Sequence, residues 1–133
     1  MATEQERNLE IIKAAYAAGQ AGDFDTFFKD VREDCIFYEA DSLPYGGEYR
    51  GVEAIKRGTQ LMFAAWENFH FEITNYCAGD DLVTVHVRIS GVGRKTGKSF
   101  SMPIVEVWRL EDGKIVDIRP YYFDTARCAE VFG

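Results

Sequence analysis

The sequence contains little of what a membrane protein or a nucleic-acid-binding protein needs. Its 15 Lys and Arg residues are outnumbered by 22 Asp and Glu, which gives a net charge of -7, and no basic cluster interrupts this acidic background. An acidic surface repels a phosphate backbone and an anionic bilayer. No apolar run approaches the ~18 residues of a transmembrane helix, and the opening segment is charged where a signal peptide is apolar. We therefore expect a cytoplasmic protein that has neither nucleic acid nor membrane as a partner.

Cysteine and histidine are also too few and too scattered for a metal site or a disulfide framework. Cys35, Cys77 and Cys128 form no CxxC pair, which fits free thiols in a reducing compartment. His70 and His86 show neither HxH nor HExxH spacing, and each alternates with apolar neighbours, so we expect both to face solvent or a partner subunit. No glycine-rich loop of the phosphate-binding type opens a helix after a strand. We therefore expect neither a metal nor a cofactor.

No internal repeat, low-complexity tract or Pro/Gly/Ser linker divides the chain. Its 133 residues are the size of one ordinary domain, which buries roughly two thirds of the surface that the unfolded chain exposes. We therefore predict a single domain over residues 1–133. The 10 Phe, 7 Tyr and 2 Trp supply enough large apolar surface both to pack a core and to line a cavity.

The first half of the chain carries the patterns of three helices. Thr3 and Glu6 form a capping box, and the helical spacing that follows ends at Gly19. Asp23 can cap a second, short helix, and residues 51–68 predict a third. The apolar positions are Leu9, Ile12 and Tyr16 in the first helix, Phe24, Phe27, Phe28 and Val31 in the second, and Val52, Ile55, Thr59, Met62, Phe63 and Trp66 in the third.

The second half alternates apolar and polar residues with a period of two, as in residues 69–74 and 83–90. Turn residues separate four successive runs, which predicts an antiparallel meander. An earlier strand at 35–39 precedes a loop rich in Gly and Tyr at 41–50. Helices first and strands last predict an α+β fold.

Three carboxylates occupy positions that the strand alternation assigns to buried faces. Glu106 is the only charge on the apolar face of residues 100–110, Glu39 shares a face with Phe37, and Asp124 follows the inward positions of the last strand. We expect the three to converge on one interior. An apolar pocket raises the pKa of a carboxyl, which suits it to donate a hydrogen bond while neutral or to act as a base near neutral pH.

Each acid also has a purely structural interpretation. Glu106 can pair with Arg109 or Arg119 near the sheet edge, Asp124 can cap the C-terminal segment that follows it, and Glu39 can be solvated at its strand end. The residues alone leave these alternatives open.

Four segments, in their order and spacing, resemble the nuclear transport factor 2-like superfamily, in particular its SnoaL-like polyketide cyclase and ketosteroid isomerase-like branch. They are YAAGQAGDF at 16–24, EDCIFYE at 33–39, YRGVEAI at 49–55, and DGKI at 112–115 followed by YYFD at 121–124. The resemblance implies a cone-shaped, curved antiparallel sheet closed by three helices from the first half, the cystatin-like roll. It also implies a deep apolar pocket and often a homodimer.

The resemblance further implies roles for individual residues. Glu39 falls where the family keeps its general base and Glu106 where it keeps a neutral acid, each Glu in place of Asp. The family's oxyanion tyrosine on the first helix falls on Ala15, one residue before Tyr16. Asp124 resembles the acid/base aspartate that the cyclase branch places near the end of the last strand.

These roles imply a cofactor-independent enzyme that moves protons on a small apolar carbonyl compound, as an isomerase, an aldol-type cyclase or a dehydratase. Glu39 or Asp124 is expected to be the base, and Glu106 the neutral donor to the developing enolate oxygen. Six aromatic residues are candidates for contacting the ligand, with simple packing as the alternative for each: Tyr16, Tyr45, Tyr49, Trp66, Trp108 and Tyr122.

A non-catalytic ligand-binding or dimerisation module fits the same residues, because a fold alone does not decide function. The outward strand positions Thr84, His86 and Arg88, beside Val105 and Val107, suit a two-fold partner, and we expect a homodimer.

A third function is a water-activating site of the epoxide hydrolase type. It requires a guanidinium between two carboxylates inside the pocket. Arg109 and Arg119 both have outward parity, which ranks this function lowest.

Overall fold

Four helices and six strands make up residues 2–133, the part of the chain that the computed structural model describes. Met1, the first residue of the predicted domain range, lies outside the described residues. The helices are α1 (Glu4–Gln20), α2 (Phe24–Phe28), α3 (Val52–Ala65) and α4 (Thr125–Phe132), and the strands are β1 (Val31–Glu39), β2 (Gly47–Arg50), β3 (Trp66–Gly79), β4 (Leu82–Gly93), β5 (Ser99–Glu111) and β6 (Lys114–Tyr122). The predicted α+β class, with three helices in the first half, is confirmed.

The strands form one sheet in the order β2-β1-β6-β5-β4-β3, and the sheet is not closed into a barrel. Strands β3 to β6 are successive antiparallel neighbours, which confirms the predicted meander. β1 pairs antiparallel with β2 but parallel with β6, so the sheet is mixed at this junction rather than wholly antiparallel. Helix α1 packs on β3 and β4, and α3 packs on β1, β2 and β3, so both lie over one face of the sheet.

The first two helices begin where their capping residues predict. The Thr3 hydroxyl accepts a hydrogen bond from the backbone N–H of Glu6, and the Asp23 carboxylate caps α2 in the same way. Helix α2 ends at Phe28, and Val31 belongs to β1 instead, so that part of the helix prediction is wrong. The backbone of Val31 pairs with β6, and this pairing outweighs the helical spacing of its side chain.

The third helix is shorter than residues 51–68 predict, because Trp66 already begins β3. An extra residue near Asn68, whose φ is 53°, forms a bulge against β4. A bulge changes which side chains face inward. Trp66 and Phe69 therefore lie on the same side of the strand, with their ring centroids 4.6 Å apart.

The inner face of the sheet supplies most of the core. The residues of β4 that alternation assigns to this face are buried, whereas Arg88 on the other face is exposed and His86 is half-buried. Helix α4, which the helical patterns of the first half do not include, packs against β4 and β5. The buried residues of β4 are Val83, Val85, Val87 and Ile89.

Candidate active site

A pocket lies between the inner face of the sheet and helices α1, α2 and α3. Its volume of about 380 Å³ is within the range of small-molecule sites. Glu39 and Glu106 are its only acidic side chains, and no Lys or Arg of residues 2–133 lines it. Most of the wall is apolar, with Phe27, Phe37, Met62, Phe69, Phe71 and Ile104 among its members.

Glu106 enters the pocket from the middle of β5, where it pairs with Val85 of β4 and Pro120 of β6. The hydroxyl of Tyr16, on α1, donates a hydrogen bond to Oε1 of Glu106. The indole Nε1 of Trp108 in turn donates to the Tyr16 hydroxyl oxygen over 2.8 Å. An indole N–H can only donate, so the Tyr16 oxygen accepts from Trp108 and its single proton is available for an ionised Glu106.

Burial changes the acidity of both members of this pair. It raises the pKa of Glu106 to about 7, and the hydrogen bond from Tyr16 opposes that shift. Burial, followed by the negative charge on Glu106, also raises the pKa of Tyr16 well above its ordinary value. Near neutral pH, Glu106 can therefore gain or lose a proton while Tyr16 remains a hydrogen-bond donor.

Glu39 reaches the same pocket from the end of β1, two strands away. Phe37 lies opposite Ile118 in the parallel register, and two further residues bring Glu39 level with Pro120, the partner of Glu106. The backbones of the two glutamates are therefore about 10 Å apart, twice the spacing between strands. Glu39 is 7% exposed, and its Oε1 is buried without a hydrogen-bond partner among residues 2–133.

The two carboxyls affect each other's protonation. Burial is the largest cause that raises the pKa of Glu39 well above its ordinary value, and the charge on Glu106 adds to it. The hydroxyl of Tyr122, beside Glu39, acts in the opposite direction. Ionisation of one carboxyl penalises ionisation of the other. The pocket therefore disfavours the state in which both carboxyls are ionised.

Tyr45 and Tyr49 support the pocket from behind. Tyr45 is 1% exposed, and its hydroxyl lies 2.9 Å from that of Tyr122. The Tyr49 hydroxyl donates to the backbone carbonyl of Tyr45 over 2.8 Å, and its ring packs against Gly58, where a Cβ would come within 2.9 Å. Of the six predicted aromatic contacts, Tyr16, Trp66, Trp108 and Tyr122 line the pocket, whereas Tyr45 and Tyr49 do not.

Asp124 lies outside the pocket, so the expected convergence of three acids holds only for Glu39 and Glu106. β6 ends at Tyr122, and the alternation of strand faces stops before Asp124 is reached. Asp124 is exposed, and its carboxylate accepts the backbone N–H of Arg127 over 3.1 Å at the start of α4. The alternative interpretation, in which Asp124 caps the C-terminal segment, is confirmed.

The two candidate arginines also lie outside the pocket. Arg109 pairs with Glu111 at 3.2 Å, and Arg119 pairs with Asp117 at 2.9 Å. Glu106 is therefore not the partner of either, and its interpretation as half of a sheet-edge ion pair is wrong. An epoxide hydrolase-type site requires a guanidinium in the pocket, and no Arg of residues 2–133 lines it.

The hydroxyl that contacts Glu106 from α1 belongs to Tyr16 and not to the adjacent position 15, where the resemblance placed the family's tyrosine. Ala15 is buried and has no polar group, whereas Tyr16 carries the hydroxyl that contacts Glu106. Several residues at the mouth were not predicted as site residues. Phe24 and Phe63 lie there with ring centroids 6.5 Å apart. His70 is exposed, as expected, and it also lines the pocket. The sequence signal that could have pointed to these residues is the high number of Phe, of which Phe24 and Phe63 are two.

All three cysteines are free thiols. Cys35 and Cys128 are buried thiols and Cys77 is an exposed one, and burial raises the pKa of Cys35 to about 12. Residues 2–133 contain no group of three or more His, Cys, Asp and Glu that could hold a metal ion. No helix in the same range is long and apolar enough to cross a membrane.

Comparisons with known proteins agree with this architecture. The chain resembles an NTF2-like protein from Burkholderia thailandensis, with 28% identity, a TM-score of 0.87 and coverage of 95% of this chain and 97% of that one. It resembles a candidate SnoaL-like polyketide cyclase from Jannaschia, with 15% identity, a TM-score of 0.83 and coverage of 100% and 96%. It also resembles a protein with a ketosteroid isomerase-like fold from Catenulispora acidiphila, in complex with trimethylamine, with 23% identity, a TM-score of 0.70 and coverage of 85% of each chain.

A sequence comparison with curated proteins gives no match. The SnoaL-like domain family, by contrast, matches residues 12–118, which include Tyr16, Glu39 and Glu106. The match covers most of the chain, from the middle of α1 to the middle of β6. The protein therefore belongs to the SnoaL-like domain family.

Proposed function

We propose that this protein is a cofactor-independent enzyme that moves protons on a small, apolar, uncharged carbonyl compound. The observation that carries the proposal is the placement of Glu106, Tyr16 and Glu39 in one apolar pocket, with Tyr16 hydrogen-bonded to Glu106. A base and a hydrogen-bond donor that face one small cavity are what enolisation requires.

The chemistry needs one carboxyl in each protonation state. The ionised carboxyl removes a proton from the carbon next to the carbonyl, and the C–H electron pair moves toward the carbonyl oxygen. That oxygen, now an enolate, accepts a hydrogen bond from the neutral carboxyl. Return of the proton to another carbon gives an isomerase, whereas attack of the enolate on a second carbonyl gives an aldol-type cyclase.

The pocket wall restricts the substrate class. Its rings favour a flat, largely apolar compound, because aromatic faces bury such surfaces well. No Lys or Arg of residues 2–133 lines the pocket, whereas two acids do. This lining disfavours a substrate that carries a carboxylate or a phosphate. The relative from Jannaschia, described as a candidate polyketide cyclase, is consistent with a substrate that bears several carbonyls.

The test is a thermal-shift screen against planar ketones and phenols, followed by turnover assays on the compounds that bind. A ligand at about 100 times its Kd adds about 2.7 kcal/mol, which raises the Tm by several degrees. We expect at least one ketone to bind and to be converted by the wild type but not by an E39Q/E106Q double variant. Binding of ketones without conversion of any of them would contradict the proposal.

A second candidate function is non-catalytic binding of an amine cation. Two buried carboxyls without a lining cation, surrounded by aromatic faces, favour a quaternary or tertiary ammonium group. The relative from Catenulispora acidiphila was solved with trimethylamine. Isothermal titration with trimethylammonium chloride, with ammonium chloride as control, tests this function. Tight binding that both E39Q and E106Q weaken would support it, and equal weak binding of the two salts would remove it.

A further inference from the structure

We infer that Glu106 is the carboxyl that carries the negative charge and acts as the base, and that Glu39 is the neutral hydrogen-bond donor. This order is the reverse of the one that the family resemblance implies. The role of Glu106 as a base rests on the proposed function. The order in which the two carboxyls ionise does not, because it is a property of the protein without substrate.

The first support is the direction of the hydrogen bonds at Glu106. Trp108 donates to Tyr16, and Tyr16 donates to Oε1 of Glu106, so two donors in series point at this carboxyl. Hydrogen bonds in series polarise one another, and they are strongest when the final acceptor is ionised. The arrangement therefore stabilises Glu106 in its charged form and leaves Oε2 free to take a proton from a substrate.

The second support is the weaker set of donors at Glu39, where the Tyr122 hydroxyl is shared between this carboxyl and the hydroxyl of Tyr45. Oε1 of Glu39 is buried and makes no hydrogen bond with residues 2–133, so a charge there has less compensation. The neighbouring Tyr122 hydroxyl lies 2.9 Å from the hydroxyl of Tyr45. Tyr122 can therefore accept a hydrogen bond from neutral Glu39 while it donates its own hydroxyl proton in a hydrogen bond to Tyr45. This arrangement accommodates Glu39 as a carboxylic acid.

The charged and titratable groups around each carboxyl do not reverse this order. Glu106 faces Tyr16 from α1, Tyr122 from β6 and Glu39 from β1. No Lys or Arg of residues 2–133 lines the pocket, and the imidazole of His70, on β3, is a further titratable group in the lining. The groups that face Glu39 are Glu106 on β5, Tyr122 on β6, Tyr45 in the loop after β1, Tyr49 on β2 and Cys128 on α4.

In the reaction, this order fixes the path of the proton. The proton leaves the substrate carbon for Oε2 of Glu106, and its bonding pair becomes the enolate. The enolate oxygen accepts a hydrogen bond from the carboxylic acid of Glu39. Glu106 then returns the proton to a second carbon, which restores both carboxyls to their starting states.

The experiment is a 13C NMR titration of the glutamate side-chain carboxyls in the wild type, E39Q and E106Q. Glu106 titrates without its pocket partner in E39Q, and Glu39 does so in E106Q, so the two midpoints can be compared without their mutual charge. We expect the Glu106 midpoint to lie below that of Glu39, because the Tyr16 hydroxyl donates a hydrogen bond to Glu106 and stabilises its charged form. Exposed Glu33 serves as an internal reference. Equal midpoints, or a lower midpoint for Glu39, would overturn the inference.

Two further readouts keep the inference testable if a variant fails to fold. In the wild type, the first titration step is expected to move the Glu106 carbon more than the Glu39 carbon, and the opposite order would overturn the assignment. If turnover is found, E106Q should lose far more activity than E39Q, because a glutamine amide can donate a hydrogen bond but cannot accept a proton from carbon. An absence of turnover contradicts the proposed function and leaves the order of ionisation to be decided by NMR.

Discussion

The indole of Trp108 donates to the hydroxyl of Tyr16 over 2.8 Å, and this contact leaves the Tyr16 proton available for Oε1 of Glu106. Trp108 and Glu106 project from the same face of β5, whereas Tyr16 arrives from α1 at the other end of the sequence. The donor chain therefore forms only when α1 packs on the sheet. It links folding of the domain directly to the acidity of the pocket.

Substitution of Tyr16 by Phe removes the donor nearest to Glu106. We predict that Y16F raises the pKa of Glu106 above its value of about 7, by about 1 unit. A pH titration of the Glu106 carboxyl by 13C NMR measures the shift. Y121F is the matched control, because Tyr121 is 57% exposed. An unchanged Glu106 titration in Y16F would show that the hydroxyl does not act on the carboxyl.

The raised pKa of Glu106 makes stability depend on pH. In the folded protein, Glu106 keeps its proton up to pH about 7, whereas in the unfolded chain it loses the proton at its lower, ordinary pKa. The stability that the protonated Glu106 contributes is therefore complete below the pKa of the unfolded state and is lost as the pH rises through the pKa of the folded state. E106Q carries no such loss. We predict that E106Q gains on the order of 3 kcal/mol relative to the wild type between pH 5 and pH 8.

Urea denaturation at the two pH values measures this gain, with E33Q on the exposed part of β1 as the control. E33Q should track the wild type at both pH values. A constant difference between E106Q and the wild type would mean that Glu106 titrates near its ordinary pKa in the folded protein.

Filling the pocket should abolish binding without any change to the acids. Met62 lines the pocket from α3, whereas the neighbouring Leu61 is 53% exposed and lies outside it. We predict that M62W removes the thermal shift caused by a bound ketone and that L61W retains it. The same screen on the three proteins checks this, and retained binding in M62W would place the ligand elsewhere.

Asp124 should matter for stability and not for the site. Its carboxylate caps α4, and replacement of a cap by Ala costs about 1 kcal/mol. We predict that D124A loses about this amount in urea denaturation, that D124N retains most of it, and that both bind ligand as the wild type does. A D124A variant that folds normally but loses ligand binding would return Asp124 to the site.

Strand alternation predicted the acid pair because it depends only on local geometry. Glu39 and Glu106 each lie among apolar neighbours of the same parity. The pairing around each is regular, over residues 36–39 of β1 with β2 and over residues 99–109 of β5 with β4. Asp124 was misplaced because the chain leaves the strand after Tyr122, and no local signal in the sequence marked that exit as stronger than the alternation.

Features that depend on packing between distant segments could not be predicted in the same way. The contact of Tyr16 with Glu106 spans 90 residues of sequence, and a shift of one residue on a helix turns a side chain by about 100°. The bulge near Asn68 likewise arises from pairing of β3 with β4. It brings Trp66 and Phe69 to one wall of the pocket, although the sequence predicted a helix through residue 68.

The central claim, that the pocket supplies a base for carbon acids, is tested most directly by hydrogen–deuterium exchange. A planar bicyclic ketone that binds in the thermal-shift screen is incubated with the protein in heavy water, and loss of its α-proton signals is followed by 1H NMR. Exchange requires only proton removal and enolate stabilisation, so the natural substrate need not be known. We predict faster exchange with the wild type than with the E39Q/E106Q double variant. Equal exchange rates with the two proteins, for a ketone that both bind, would contradict the account.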